Sequence, residues 1–380
     1  MQETTFGKRF RFWSVLTVIS IYLLILVGGI VRATGSGMGC PDWPKCFGQW
    51  VPPTEASQLP ADYKQVYTAQ RVAKNQKLAR TLASLGFKQV AGDIFAHPTQ
   101  YIETDFNATN TWIEYINRLL GAVIGIFVFV TAVVAWPYWQ RDRQVFWLAV
   151  ASWLLTGFQG WLGSLVVSTN LLPVMVTIHM GLALFIVALL LYAAHRARWG
   201  TVKQELSHQP ELGTFGSRYN SVAVVTSLRW LLWGTLLLTF GQIIIGTQVR
   251  EEIDQIAAAT GYAQRATWID KLGSIFESHR TLSAIVVLVN VYVGYQLWQI
   301  AVLTLRRLVM ATWVVLGLEI VAGITLAYFA LPAFVQPVHL TLATMLFGTQ
   351  FLTLLALRRL AKAETTSITL AASPAHEYPR

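Results

Sequence analysis

The chain has 380 residues, 54% of them hydrophobic and 13% charged, with a mean hydropathy of +0.48. That balance is too apolar for a soluble globular surface and is the composition of an integral membrane protein. A formal charge of +10 would suit nucleic acid in a soluble chain, but here the basic residues gather in short clusters between apolar runs, which argues against a nucleic-acid partner.

A helix needs about 20 apolar residues to cross a hydrocarbon core of roughly 30 Å. Eight such runs occur, at about 12–31, 116–138, 145–167, 174–195, 228–248, 281–301, 309–331 and 337–357. Each predicts a transmembrane helix, because a helix satisfies its own backbone hydrogen bonds in lipid. The first run follows "GKRFRFW" in the manner of a signal peptide. It lacks a small-x-small cleavage site at its end, so it is expected to be retained.

Lys8, Arg9 and Arg11 precede the first run, and Arg141 and Arg143 separate the second from the third. Arg196, Arg198, Lys203, Arg218 and Arg229 lie between the fourth and fifth, Arg306 and Arg307 between the sixth and seventh, and Arg358, Arg359 and Lys362 after the eighth. All fall on one side, which the positive-inside rule makes cytoplasmic. Both termini are then expected inside, with segments near 33–112, 168–173, 249–278 and 332–336 facing outward.

The chain repeats itself. "LVGGIVR" (26–32) matches "IIGTQVR" (244–250), pairing Arg32 with Arg250. "INRLLGA" matches "SHRTLSA", pairing Asn117 with His279 and Arg118 with Arg280. "QGWLGSLVVSTNLLPVMVTIHMGLA" (159–183) runs without a gap against "EIVAGITLAYFALPAFVQPVHLTLA" (319–343). The expected fold is therefore all-α, with eight transmembrane helices in two pseudo-symmetric four-helix bundles. Its parts are an N-terminal bundle at 1–198, a cytoplasmic linker at 199–227, a C-terminal bundle at 228–357 and a cytoplasmic tail at 358–380. The first outer loop carries about 56 more residues than its counterpart, a length that marks either a functional insertion or a disordered linker.

Of seven histidines, His97, His208 and His376 fall in polar loops or the tail, and His195 ends a helix where it can reach water. His179, His279 and His339 sit near the outer ends of the fourth, sixth and eighth helices, at one depth. A single buried histidine reads as a hydrogen-bonded core residue. Symmetry-related imidazoles on alternate helices of a bundle read as ligands projecting inward from opposite walls. His279 and His339 would then be a bis-imidazole pair for a haem iron; zinc would want four ligands, and no such cluster occurs. Arg32, Arg118, Arg250 and Arg280 lie at the outer helix ends, where they serve either as interfacial anchors or as partners for haem propionates.

Cys40 and Cys46 lie close together in the first outer loop, where a disulfide clip is the simplest account and a redox role would need an exposed thiol of lowered pKa. Glu114 falls one turn before Asn117 on the same helical face. It suits a general base beside a ligand pocket or a carboxylate at a helix N-terminus. Glu319, opposite Gln159 in the repeat, falls within a span and is expected to be protonated or paired.

These residues resemble the haem A synthase family, over nearly all eight helices. The motifs carrying the resemblance are "VGGIVRATGSGMGCPDWPKC", "EYINR", "QGWLGSLVVSTNLLPVMVTIH", "ESHR" and "LPAFVQPVH". The resemblance implies an oxidoreductase in a bacterial-type inner (plasma) membrane that converts a methyl substituent of haem O to the formyl group of haem A, for terminal oxidase biogenesis. It implies a haem b cofactor in the C-terminal bundle on His279 and His339, with Arg250 and Arg280 toward its propionates. It implies a substrate-haem site in the N-terminal bundle, toward the periplasmic side, formed by His179, Asn117, Arg118 and Arg32, with Glu114 matching the catalytic acid. Cys40 and Cys46 match the family's loop cysteine pair. Haem O, the bilayer, haem O synthase and an electron-transfer partner are the implied partners, and a homo-oligomer is compatible. Many relatives have histidine where this chain has Asn117, and some have a second cysteine pair that the 249–278 stretch lacks. The alternative reading is a dihaem b-type quinol or electron-transfer protein that leaves haem unmodified; a transporter would need a polar midplane in both halves, for which only Gln159 and Glu319 offer themselves.

Overall fold

The computed structural model describes residues 5–94, 102–202, 222–261, 263–300 and 302–371. His97, His208, His376, the middle of the expected linker (203–221) and the end of the expected tail (372–380) lie outside the described residues. In chain order the helices are α1 (Thr5–Ala33), α2 (Tyr63–Ser84), α3 (Lys88–Asp93), α4 (Ala108–Val134), α5 (Tyr138–Arg141) and α6 (Arg143–Ser168). They continue with α7 (Pro173–Val202), α8 (Val222–Ala259), α9 (Ser274–Trp298), α10 (Leu303–Tyr328) and α11 (Val335–Ala371). Eight of these, α1, α4 and α6 to α11, are long and apolar enough to cross a membrane, and they coincide with the eight expected runs.

Local chemistry places the helix ends. Asn107 caps α4 by accepting the Asn110 N–H, and Asp142 caps α6 by accepting the Gln144 N–H, each satisfying a donor that the first turn leaves free. Pro173 opens α7, where its missing N–H costs nothing. Helix α8 outruns its apolar stretch because Val249, Ile253 and Ala257, spaced by four, continue one buried face that packs on Trp268 and Leu331. The polar face of that extension carries Glu251 and Asp254.

The duplication is visible in backbone geometry. Helix α6 ends through Asn170 and Leu171 at φ 52° and 60°, and α10 ends through Ala330 and Leu331 at φ 54° and 53°. In each turn the second of these residues donates its N–H five residues back, Leu171 to Val166 O at 2.8 Å and Leu331 to Leu326 O at 3.3 Å. Both are helix C-caps of the Schellman kind built without glycine. In the second copy Arg265 secures the turn by donating to Ala330 O and Leu331 O.

Helices α1, α4, α6 and α7 pack in a ring, α1 on α4, α4 on α6, α6 on α7 and α7 on α1. Helices α8, α9, α10 and α11 pack in the same cyclic order. The rings meet where α1 and α7 lie against α11 and α7 lies against α8. At that seam Gly29 admits Pro337 so closely that a Cβ would stand 2.8 Å from it, and Thr177 and Thr247 share a 3.0 Å hydroxyl hydrogen bond.

The long first loop is not a bare linker. Helix α2 lays Val72, Leu78, Ala79 and Leu82 against Leu162, Leu165, Leu172 and Met175 at the ends of α6 and α7. Asn75 pins it by donating to Ser168 O at 2.7 Å. The preceding stretch is closed by a Cys40–Cys46 disulfide, buried with Phe47 under Tyr63, Tyr67, Phe106 and Tyr115.

Candidate functional site

His179, His279 and His339 occupy the seventh, sixth and fifth positions of α7, α9 and α11; α9 begins at Ser274, ahead of the apolar run at 281, which brings His279 inside the helix. Each rests against a glycine of the helix that precedes it in its ring. A Cβ at Gly163 would stand 3.4 Å from His179 Cε1, one at Gly246 3.2 Å from His279 Cε1, and one at Gly323 3.4 Å from His339 Cε1. Asn117 completes the set, with its Oδ1 3.9 Å from a Cβ on Gly28 of α1. The four positions are thus one motif used four times: a glycine on one helix opens the space in which a polar side chain of the next can lie.

Four residues before three of these glycines stands a second polar residue. Gln159 donates its side-chain amide to His179 O at 2.9 Å, and Gln242 does the same to His279 O at 3.0 Å. Gln242 Nε2 also lies 3.4 Å from His279 Nε2. At the third place Glu319 puts Oε1 3.1 Å from His339 Nδ1, at ion-pair distance but off the line of a straight N–H···O bond. The fourth place, before Gly28, is Leu24.

Helix order in the rings sets the opposition. Asn117 on α4 lies diagonally across from His179 on α7, and His279 on α9 across from His339 on α11. Asn117 Oδ1, Gln159 Oε1, His179 Nδ1, Gln242 Oε1, His279 Nδ1, Glu319 Oε2 and His339 Nδ1 are buried without a hydrogen-bond partner. Unpaired polar atoms of this kind are costly, and a polar or metal-bearing occupant would offset that cost. Two imidazoles on facing helices fit the axial pair of a haem iron. Among the described residues no three His, Cys, Asp or Glu side chains converge as a zinc site would need.

Glu114, Arg118 and the disulfide loop form one unit at the mouth of the first ring. Glu114 is 2% exposed; its Oε2 accepts the Cys40 N–H at 2.9 Å and its Oε1 meets Arg118 Nη2 at 2.5 Å. Arg118 also donates to Asp42 O at 2.6 Å, Lys45 O at 3.1 Å and Cys40 O at 3.2 Å. Gly39 lets this loop lie on α4, since a Cβ there would stand 2.6 Å from Asn110 backbone atoms.

Arg32 and Arg250, expected near propionates, share a protein carboxylate. Arg32 Nη2 lies 3.0 Å from Asp254 Oδ2 and 3.6 Å from Glu251, while Arg250 Nη2 lies 2.8 Å from Asp254 Oδ1. This triad joins α1 to α8 across the seam. Arg280 is exposed one residue after His279.

Helix α2 adds residues that sequence reasoning missed. Arg71 donates to Glu103 at 2.7 Å, both buried. Burial pushes the Glu103 carboxyl above its ordinary value, with the Arg71 guanidinium pulling against it. Burial likewise lowers the Lys74 ammonium, and repulsion from Arg118 adds to the effect, which puts a further cation beside the Glu114 unit. The signal for α2 was a spacing of three to four among Val72, Asn75, Leu78, Ala79 and Leu82; for the histidine pockets it was the glutamine or glutamate four residues before each glycine.

Comparison with known proteins gives the family. The chain is similar to a protein of Listeria monocytogenes serotype 4a named heme A synthase, 23% identical over 357 residues, which are 90% of this chain and 93% of the relative. It is similar to one of that name from Shewanella oneidensis, 24% identical over 259 residues, 68% of this chain and 62% of the relative. A third, from Allorhizobium ampelinum, is 25% identical over 164 residues, so that the match spans 43% of this chain and 38% of the relative's length. Residues 11–85 and 87–351 match the family described as cytochrome oxidase assembly protein. Since that match reaches from α1 into α11 and takes in His179, His279 and His339, the chain belongs to the cytochrome oxidase assembly protein family.

Proposed function

We propose that this protein is a membrane oxidoreductase of haem A formation, which oxidises a methyl substituent of haem O to a formyl group. The observation that carries the reading is the unequal furnishing of two like pockets. His279 faces His339 across one ring, whereas His179 faces Asn117 across the other. Two imidazoles suit a resident haem b held on both faces; one imidazole opposite a poor ligand suits a haem that must bind, react and leave. The name carried by the relatives supports the same assignment.

Haem b, when bound by His279 and His339, supplies one-electron transfer. In the first ring His179 binds the iron of haem O, which enters from the bilayer with its apolar tail in lipid. Asn117 leaves the opposite face accessible and offers its amide to water or to the reacting substituent. Passing from methyl to formyl takes its oxygen from water and gives up protons and electrons, the electrons going by way of the second-ring site to an external electron acceptor, so the pocket needs a proton acceptor near its mouth. Glu114, one turn outward from Asn117, is the carboxyl group at that place; Arg118 and the Cys40 N–H hold its two oxygens in position. Propionates at the two mouths would meet Arg118 and Arg32 in the first ring and Arg250 and Arg280 in the second, competing there with Asp254 for Arg32 and Arg250 and with Glu114 for Arg118.

The test is pigment extraction from the purified protein of cells that supply haem O. Formyl or hydroxylated haem is expected from the unmodified chain, and His179→Ala is expected to abolish it while the haem b spectrum remains. Unmodified haem in both halves, in fixed stoichiometry and resistant to exchange, would instead identify a dihaem electron-transfer protein.

A further inference from the structure

Glu319 stands where the chain elsewhere uses glutamine. Gln159 and Gln242 each lie four residues before a histidine-facing glycine and use the side-chain amide to donate to the histidine's backbone carbonyl, at 2.9 and 3.0 Å. A carboxylate cannot make that bond. Glu319 turns instead to the ring, with Oε1 3.1 Å from His339 Nδ1, and it lies inside a membrane-spanning helix (Leu303–Tyr328), where an unpaired charge is expensive. No other charged side chain is paired with Glu319 among the described residues. An acid retained in that position asks for a compensating positive charge.

We infer that Glu319 is a positioning residue and counter-ion: it accepts the His339 Nδ1–H, turns Nε2 toward the haem iron and stabilises the ferric over the ferrous state of the second-ring haem. The inference rests on the reading of His279 and His339 as haem ligands. A ligating imidazole commonly donates its other N–H to an acceptor that fixes its tautomer and raises its basicity. A ferric bis-imidazole haem carries one more positive charge than the ferrous form, and in a low-dielectric setting a carboxylate hydrogen-bonded to one ligand acts on that difference. His279 has no acidic neighbour of this kind: the residue at the equivalent place is the neutral Gln242, 3.4 Å from His279 Nε2, whereas the Glu319 carboxylate lies 3.1 Å from His339 Nδ1 and needs only a small turn of the ring to accept its proton. The two axial ligands are therefore chemically unequal, and the haem is tuned through His339.

Redox titration of the purified full chain with its haem tests this. Glu319→Gln installs the residue that the two sister pockets already use, so it is expected to fold and to keep a low-spin bis-imidazole spectrum, with the haem midpoint shifted to more positive potential. Glu319→Asp, which keeps the charge at greater distance, is expected to shift it less. An unchanged or more negative midpoint in Glu319→Gln overturns the inference, and so does loss of haem from both variants, which would assign Glu319 to packing alone. His339→Ala separates the two levels. If the bis-imidazole spectrum survives that change, the ligand assignment itself is wrong; if it is lost while Glu319→Gln leaves the potential in place, only the tuning role fails.

Discussion

Glu114 Oε2 accepts the Cys40 backbone N–H at 2.9 Å, tying the first turns of α4 to the disulfide-closed loop. With Arg118 on the other carboxylate oxygen and three loop carbonyls on Arg118, the proposed proton acceptor is also what holds the cover of its own pocket. Glu114→Ala would leave the Cys40 N–H unpaired and Arg118 without its anion, at a cost of about 1.5–3 kcal/mol for a hydrogen bond to a charged group. We expect faster protease cleavage of the 40–60 segment together with lost haem A. Glu114→Gln should keep the loop closed more nearly as in the unmodified chain yet still lose haem A. If Glu114→Gln makes haem A normally, Glu114 is a loop anchor and no more.

Asn117→His would place an imidazole against Gly28, as His279 lies against Gly246. The first ring would then hold haem on both faces. We expect a second low-spin bis-imidazole signal, tighter haem retention through purification and slower turnover. Unchanged turnover with the new signal present would show that the open face is not needed for the reaction.

Arg71→Ala would leave Glu103 buried without its partner. Breaking a buried pair from one side costs about 3–5 kcal/mol, here charged to the docking of α2 rather than to the membrane helices. Hydrogen exchange across 63–84 should rise while exchange in α6 and α7 stays slow. Because burial raises the Glu103 pKa, the stability it contributes is present at low pH and declines as pH rises through that raised value. The excess exchange in Arg71→Ala should therefore grow as pH is raised from below the ordinary carboxyl range, after correction for the intrinsic rate.

Gln350 donates to Thr239 at 2.9 Å and Asn290 at 2.8 Å, and all three are buried, with Gln350 and Asn290 lining a cavity of about 20 Å³. By the repeat, the first ring has Leu190, Ile21 and Val128 at these positions, packed in one apolar cluster. Gln350→Leu should destabilise the protein by about 1–3 kcal/mol, since it orphans the other two groups. Adding Thr239→Ile and Asn290→Val should recover part of that loss, as read by thermal unfolding in detergent. A triple variant less stable than the single one would refute this account of the cluster.

The eight spans, the duplication, the histidine layer and the cysteine pair were all legible in the sequence, because lipid demands long apolar runs and a duplicated chain keeps like residues at like spacing. Helix α2 was hidden: its buried stripe is short and its surface polar, so neither hydropathy nor the repeat exposed it. Only the tertiary structure decided what the charged residues at the mouth do. Arg32 and Asp254 are 222 positions apart, and nothing local to either announces the pair. Arg118 meets the loop because Gly39 lets it approach α4, and Glu319 meets His339 because α10 lies against α11 in one register. Composition and period determine which segments enter the membrane, since those are sums over neighbours in sequence; which buried charge meets which partner depends on distances of a few ångströms between remote segments, and those exist only in the folded chain.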